Sequence, residues 1–323
     1  VEKFGGEVKV KKVPIPKVKP GQVLIKMEAA PINPSDIAYI QGKYGIKNDP
    51  PFKVGLEGSG TVVANGGGLL GWYLMGKRVA GITTTSGIGT WAEYCVTMSK
   101  QVVALDDRLS FEQGASYFVN PLTAIAFRQF MEKENHKACV QTAACSSVGK
   151  MVYRLLNKEG YDVINIVRRD DQVAIMKNLG AKYVLNSSDP DFEKKLKELT
   201  HQLKATCFFD AVGGDMTYTV LKNMPPFSIC HLFGHLSGKP TNGIDSSHLI
   251  FTNKQIKGFY LGIWIRQQSL KNRLIWSRFF SQEMDKILKT DIAKCYPLEK
   301  ANEAIKFYTE NMTMGKVLLK PSL

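Results

Sequence analysis

The chain has 323 residues, of which 44% are hydrophobic and 22% are charged, and its mean hydropathy is -0.14. This composition predicts a folded protein with enough apolar residues for two domains. No run of about 18 apolar residues occurs, which argues against a membrane-spanning helix.

The net charge is +14, a value that attracts phosphates, nucleic acid or acidic surfaces. The basic residues lie in many short groups rather than in one dense run, which favours solvated faces over a nucleic-acid footprint. The six cysteines are widely spaced and form no CxxC pair, so free thiols and no structural zinc are expected. The chain begins at Val1 without a secretory signal pattern, and the predicted compartment is cytoplasmic, or mitochondrial if a targeting segment has been removed.

The first hundred or so residues are predicted to form a β-rich domain. Short strands are expected within 8–27 and at 54–63, 78–82 and 91–97, between turns rich in proline and glycine. A helix begins at Ser110, and another is predicted over 122–133 after an interruption at Asn120-Pro121.

From residue 138 onward, strands and helices alternate. Strands are predicted at 138–143, 162–167, 183–186, 205–211, 227–233 and 255–261, with helices at 148–158, 170–179, 192–203 and 216–223. This order predicts a doubly wound parallel sheet in an α/β protein. A helix over 270–288, a strand from residue 292, a helix over 299–310 and a strand over 316–320 complete the chain. We therefore predict a nucleotide-binding domain at 119–264, inserted into a β-rich domain formed by 1–118 and 265–323.

The turn after the first strand of this sheet is the candidate phosphate site. It leads through Ser146, Ser147 and Val148 to Gly149 and directly into a helix, whose N-terminal amides would face a pyrophosphate. The two serines stand where glycines usually permit closest approach, so an ordinary strand-to-helix turn is an equal alternative.

Two arginines follow about 20 residues later, where an acidic residue would bind the ribose of NAD. Guanidinium groups at Arg168 and Arg169 suit a 2′-phosphate by charge and forked geometry. NADPH is therefore favoured over NADH. The alternative interpretation is a pair of exposed surface arginines.

Six short motifs, in order along nearly the whole chain, resemble the quinone oxidoreductase branch of the medium-chain dehydrogenase/reductase superfamily. They are Asn33-Pro34-Ser35-Asp36, Gly55-Leu56-Glu57-Gly58-Ser59-Gly60, Gly76-Lys77-Arg78-Val79, Gly89-Thr90-Trp91-Ala92-Glu93-Tyr94, Asn120-Pro121-Leu122-Thr123-Ala124 and Gly315-Lys316-Val317-Leu318. The resemblance implies a GroES-like catalytic domain, a Rossmann domain, an active cleft between them and a homodimer.

Zinc-containing relatives need a thiolate and a histidine at two of these motifs, where this chain has Asn33 and Leu56. Neither residue supplies what a catalytic zinc demands, so a zinc-independent mechanism is predicted. Without a Lewis acid, a conjugated acceptor is easier to reduce than an isolated ketone, because negative charge spreads onto oxygen as hydride adds.

The segment 32–45 also looks like the corresponding region of mitochondrial-type trans-2-enoyl thioester reductases, and that resemblance makes Tyr44 the proton donor. A phenol is a suitable acid for an enolate. The alternative is a half-buried tyrosine in a turn. Asn33 and Asp36 are candidates for lining the acceptor site or for bracing a turn. Tyr260 and Trp264 would border the acceptor pocket, or simply pack.

The predicted cofactor contacts, with Thr123 included through the resemblance, are Thr123, Ser146, Ser147, Val148, Gly149, Arg168, Arg169, Asn186, Val212, Gly234, Leu261 and Lys316. The leading hypothesis is an NADPH-dependent reductase of quinones or other α,β-unsaturated carbonyl compounds. The alternative within enzymes is a trans-2-enoyl-CoA or acyl-carrier-protein reductase, whose phosphorylated carrier the basic charge would help to hold. A hypothesis of a different class is an oxidoreductase-like nucleic-acid or ligand-binding protein with little catalysis.

Overall fold

The computed structural model describes residues 1–46, 49–83, 89–269, 272, 276, 279 and 282–323. The chain divides into two compact units, Val1–Asn120 with Phe279–Leu323, and Pro121–Arg278. The second boundary lies beyond the predicted position at 264, since the indole rings of Trp264 and Trp276 stack with centroids 4.7 Å apart and hold this segment to the second unit.

A seven-stranded sheet forms the first unit. Its strands are β1 (Gln22–Pro31), β2 (Glu57–Asn65), β3 (Arg78–Ile82), β4 (Tyr94–Met98) and β5 (Val102–Ala104), joined by β12 (Ile292–Tyr296) and β13 (Lys316–Leu319) from the C-terminal part of the chain. The order is β12-β13-β1-β2-β3-β5, with β4 paired to β1. The helices are α1 (Pro34–Ile40), α2 (Leu69–Leu74), α3 (Phe111–Ala115) and α11 (Ala301–Glu310).

The prediction of strands from residue 8 is wrong, because no strand precedes Gln22. Pro14, Pro16 and Pro20 remove the amide donors that a ladder needs, so pairing starts only after the Pro20-Gly21 turn. From there β1 alternates, and its inward side chains Val23, Ile25 and Met27 enter the core. Other members of this core are Val62, Leu74, Val79, Cys95 and Val102.

The second unit is a six-stranded parallel sheet in the order β11-β10-β9-β6-β7-β8. Its strands are β6 (Ala138–Gln141), β7 (Asp162–Val167), β8 (Tyr183–Asn186), β9 (Ala205–Asp210), β10 (Ile229–Leu232) and β11 (Gln255–Gly258). Read from β8, this is the strand order of a Rossmann domain, which places the end of β6 and the start of α5 at the point where the winding reverses.

Seven helices accompany these strands in the described residues: α4 (Val119–Lys133), α5 (Ser147–Lys158), α6 (Asp170–Asn178), α7 (Phe192–Gln202), α8 (Asp215–Lys222), α9 (Ser246–Thr252) and α10 (Leu261–Gln267). Pro121 does not interrupt α4, because it lies in the first turn, where an amide donor has no helical partner.

The strand predicted at 255–261 is too long. In the structure β11 ends at Gly258, and α10 begins at Leu261. Helix α9 was not predicted, and nine of the 19 residues of the helix predicted over 270–288 lie outside the described residues. Among the described helices, none combines the length and the apolar character that a membrane crossing requires.

Candidate functional site

The Asn-Pro-Ser-Asp motif forms the start of α1. Asn33 is the N-cap, Pro34 occupies the first turn, and Asp36 Oδ2 accepts a hydrogen bond of 2.8 Å from the Asn33 amide. Asp36 Oδ1 accepts a second bond of 3.0 Å from the amide of Leu56. The side chains of Asn33 and Asp36 are both buried. The two backbone amides that donate to Asp36 are the partners that a residue bracing the turn would have.

Glu57, at the start of β2, joins this motif to the chain that enters α4. Its Oε1 accepts a bond of 2.9 Å from Asn33 Nδ2. Its Oε2 accepts bonds from the amides of Phe118 and Val119, at 3.2 and 2.9 Å. The sequence analysis gave Glu57 no role. The available signal was a carboxylate at the start of a strand that is otherwise apolar and rich in glycine, because a buried charge there needs partners.

Lys316 reaches the same group from β13. Its Nζ donates to Asn33 Oδ1 and lies 3.5 Å from the carbonyl oxygen of Ile32. The residue is 1% exposed, so its ammonium is enclosed by protein. The cofactor contact predicted for Lys316 stays a prediction, and the structure shows these protein partners. We call Asn33, Asp36, Glu57 and Lys316 the Asn33 cluster.

Burial dominates the electrostatics of the Asn33 cluster. It lowers the pKa of Lys316 to about 8, although Glu57 and Asp36 oppose the shift. Burial also raises the pKa of Asp36 to about 7 and raises the pKa of Glu57, while Lys316 acts in the opposite direction on both. The cluster therefore holds the side-chain amide of Asn33 at both ends. The Lys316 ammonium contacts its oxygen, and the Glu57 carboxylate contacts its nitrogen.

Tyr44 lies in the first unit, in the bend after α1. It is half-buried against a hydrophobic group that contains Tyr39, Ile40, Phe52 and Val54. The structure thus places the predicted acid a few residues beyond the Asn33 cluster on the same segment. Its proton-donor role stays a prediction.

The other predicted acceptor residues lie in the second unit. Tyr260 is the half-buried N-cap of α10. Trp264 is 5% exposed and stacks on Trp276, which accounts for its burial by packing.

The turn from β6 to α5 has the geometry of an anion site. Ser146 is the N-cap, with φ -68° and ψ 162°, and its Oγ accepts a bond of 3.1 Å from the Gly149 amide. This backbone conformation does not require glycine, which explains how serine is accommodated. Within the described part of the chain, the amides of Ser147 and Val148 have no hydrogen-bond partner. They are available to a phosphate at the N-terminus of a twelve-residue helix.

Two glycines mark close approaches around this turn. A Cβ on Gly149 would lie 2.6 Å from the carbonyl oxygen of Ala144, and one on Gly234 would lie 2.3 Å from that of Ala211. Asp210, which the sequence did not single out, organises the neighbouring turn: its Oδ1 accepts from Thr142 Oγ1 at 2.8 Å and from the Val212 amide at 2.9 Å. The predicted cofactor positions at Gly149, Val212 and Gly234 are thus brought to adjoining strand ends.

Replacing Gly149 by alanine is expected to lower the free energy of unfolding by about 1–3 kcal/mol, because the new Cβ would meet backbone atoms that cannot rotate away. Urea unfolding measures this change. Gly258→Ala is the matched control, since nothing lies within 4 Å of that Cβ position. Equal losses in the two variants would contradict the close-packing explanation.

Arg168 and Arg169 follow β7 and are both exposed. Arg169 Nε pairs with Asp171 Oδ1 at 3.0 Å. The Arg168 guanidinium has no hydrogen bond or ion pair within the residues that the structure describes. Asn186, at the end of β8, donates from Nδ2 to Asp170 Oδ1 at 2.9 Å. Of the two arginines, Arg168 is therefore the one with its charge free for a ligand.

The remaining predicted cofactor residues are Thr123, buried in α4, and Leu261, half-buried at the start of α10. Cys145 lies beside the N-terminus of α5, a position that can lower the pKa of a thiol. Instead it is 2% exposed, and burial raises its pKa to about 11.

Two histidines of the second unit, His136 and His231, converge on one carboxylate. His136 Nε2 and His231 Nε2 lie 3.0 and 3.2 Å from Glu134 Oε2, and Lys257 Nζ lies 3.1 Å from Glu134 Oε1. Among the described residues, no group of three His, Cys, Asp or Glu side chains is arranged to hold a metal.

Comparisons with known proteins agree with this fold. Residues 19–107 match the alcohol dehydrogenase GroES-like domain, and residues 147–275 match the zinc-binding dehydrogenase family. Mitochondrial enoyl-[acyl-carrier-protein] reductase of Arabidopsis thaliana is 32% identical over 265 residues, which cover 80% of this chain and 69% of the relative.

Two solved structures extend the likeness. A Mesorhizobium loti protein assigned as an NADPH:quinone reductase is 38% identical with a TM-score of 0.86, covering 95% of this chain and 89% of the other. A quinone oxidoreductase of Pseudomonas syringae is 26% identical with a TM-score of 0.83, covering 97% of this chain and 94% of the other. The predicted α/β fold, with a GroES-like and a Rossmann domain, is confirmed.

Proposed function

The chain belongs to the quinone oxidoreductase-like branch of the medium-chain dehydrogenase/reductase superfamily, and from this premise we propose that it is an NADPH-dependent reductase of quinones or other α,β-unsaturated carbonyl compounds. The observation that carries the proposal is the anion site at the start of α5, together with the unpaired Arg168 guanidinium after β7. These groups suit the pyrophosphate and the 2′-phosphate of one dinucleotide.

When bound, NADPH would supply the hydride that reduces the conjugated acceptor. The amides of Ser147 and Val148 would hold its pyrophosphate, and Arg168 would hold its 2′-phosphate. Tyr44 gives the proton that completes the reduction, and solvent returns a proton to its phenolate. The Asn33 cluster keeps the segment that leads to Tyr44 fixed to β2 and β13.

NADPH oxidation rates with a short quinone and with a short trans-2-enoyl-CoA test the proposal. Turnover of either substrate supports the reductase, and a clear preference for the thioester would favour the alternative that the relatives named enoyl-[acyl-carrier-protein] reductase support. If titration with millimolar NADPH left the intrinsic tryptophan fluorescence unchanged, the proposed cofactor would be wrong. Steeply salt-dependent binding to mixed nucleic acid would then promote the binding-protein hypothesis.

Replacing Arg168 by glutamine is expected to raise the Kd for NADPH about 10- to 100-fold, because a charge-assisted contact with the 2′-phosphate is lost. The Kd for NADH should not change. Arg169→Gln is the matched control and should have a smaller effect, since Arg169 is already paired with Asp171. Equal losses for NADPH and NADH in the Arg168 variant would contradict recognition of the 2′-phosphate.

A homodimer and a mitochondrial location are also proposed. The exposed edge strand β11, next to the exposed Ile250 and Phe251, supports pairing of two copies. Light scattering after gel filtration would measure the mass. The relatives named mitochondrial support the compartment.

A further inference from the structure

Helix α2 presents a cluster of exposed apolar side chains that the proposed reaction does not use. We call this cluster the α2 tip; it comprises Leu69 (93% exposed), Leu70 (41%), Trp72 (70%), Tyr73 (58%) and Met75 (43%). Contiguous exposed apolar side chains of this kind mark interaction sites.

The fold holds the α2 tip outward. Leu74, on the opposite side of the helix, is 1% exposed and enters the core of the first unit. Gly67 and Gly68 precede the helix with φ of 93° and 87°, and Gly76 follows it with φ of 73°. These left-handed conformations favour glycine and turn the chain at both ends of α2. The exposed fractions of Leu69 and Trp72 show that the apolar side chains project into solvent.

Lysines surround the tip. Lys77 follows the helix, with its Nζ 3.5 Å from the centroid of the Tyr73 ring. Lys100 lies in the 3₁₀ turn Ser99–Gln101, which packs against α2. Lys19 lies in a turn that adjoins the residues before α2, where the Gly66 amide donates to Gln22 O at 2.8 Å. We call these three residues the lysine rim.

The segments that supply the tip and the rim carry only basic charges. Residues 8–22, 58–78 and 94–105, which supply the tip and the rim, contain no Asp or Glu. Within the described residues, neither Lys19 nor Lys100 forms an ion pair with a carboxylate. An apolar projection within a cationic rim is complementary to a surface that is anionic at its face and apolar just beneath.

We propose that the α2 tip docks on the surface of an anionic phospholipid bilayer. Trp and Tyr side chains favour the level of the headgroups, and Leu and Met reach the acyl boundary. Each lysine near an anionic leaflet adds attraction that falls off within a Debye length. The strength of peripheral binding grows with the apolar area buried and with electrostatic attraction to anionic lipids, and the α2 tip with its rim supplies both. The inference does not depend on the proposed reaction.

Cosedimentation of the full chain with vesicles tests the proposal. Vesicles of phosphatidylcholine mixed with phosphatidylglycerol should bind the protein, while vesicles of phosphatidylcholine alone should bind it much less. The double variant Leu69→Ser with Trp72→Ser should weaken binding at least about 10-fold, because it removes the inserted apolar area. The variant Lys19→Gln with Lys100→Gln should weaken it about 10- to 30-fold.

Two matched controls separate docking from general stickiness and general charge. Met314→Ser with Leu323→Ser removes exposed apolar side chains (59% and 66% exposed) elsewhere, and Lys133→Gln with Lys137→Gln makes the same change in net charge as the rim variant. Neither should change binding to the mixed vesicles. Unfolding in urea is to be measured on every variant, to check that each variant is folded.

Three results would overturn the proposal. They are absence of binding to the mixed vesicles, equal binding by the tip variant and the unaltered chain, and a tip variant whose only change is a lower mass in solution. The last result would assign the tip to contact between copies of the chain.

Discussion

Replacing Lys316 by methionine is expected to lower the free energy of unfolding by about 3–5 kcal/mol, because the buried Glu57 and Asp36 carboxyls would lose their cation. Methionine keeps most of the volume of the lysine stem, so the effect reports the lost charge rather than a cavity. Urea unfolding at neutral pH, with the slope compared between variants, measures it.

The loss of unfolding free energy in Lys316→Met should also depend on pH. Without Lys316, the folded-state pKa values of both carboxyls rise further. A carboxyl whose pKa is raised by folding gives stability that is present at low pH and is lost as the pH rises through the folded value. The difference between the unaltered chain and the variant should therefore be smaller near about pH 5 than near about pH 8.

Lys320→Met is the matched control for this prediction. Lys320 lies just beyond β13 and pairs with Glu112 at 2.5 Å, but the two side chains are 23% and 27% exposed. Water screens such a pair, so its loss should cost about 1 kcal/mol or less. If both methionine variants lost the same small amount at every pH, the Asn33 cluster would not depend on its ammonium.

How much of this structure could be predicted from sequence depended on the range of the interactions. Strands β7 and β8 have the predicted ends, because a short apolar run bounded by polar residues specifies a buried strand locally. The segment before Gln22 has the alternation of a strand, but its prolines prevent pairing. The sequence identified the motif residues of the first unit, but it did not identify the hydrogen bonds that join them.

The Asn33 cluster shows why those connections were missed. Lys316 contacts Asn33 across 283 positions of sequence, and no local pattern identifies such a partner. Ser146 gives the opposite lesson. The missing glycine left an ordinary turn as an equal alternative, but the backbone at Ser146 is extended, and the serine side chain caps the helix. Residue type alone does not reveal the φ angle that decides whether glycine is needed.

Replacing Tyr44 by phenylalanine is expected to lower kcat for a trans-2-enoyl thioester about 10²- to 10⁴-fold, the range typical of a lost general acid. KM should change little, because phenylalanine preserves the contacts of the ring with its hydrophobic group. Tyr39→Phe is the matched control. It removes a hydroxyl from a tyrosine of the same group, whose ring packs edge-on against Phe52 with centroids 4.8 Å apart, and it should leave kcat nearly unchanged.

The same variant distinguishes the two substrate classes. Reduction of an enoyl thioester ends with a proton delivered to carbon, a slow step that gains much from a positioned acid. Reduction of a quinone ends with protons on oxygen, which water supplies readily. Tyr44→Phe should therefore slow the thioester far more than the quinone. Equal, small effects on both substrates would remove Tyr44 from the mechanism, whereas equal, large effects would show that the phenol acts on a step common to both.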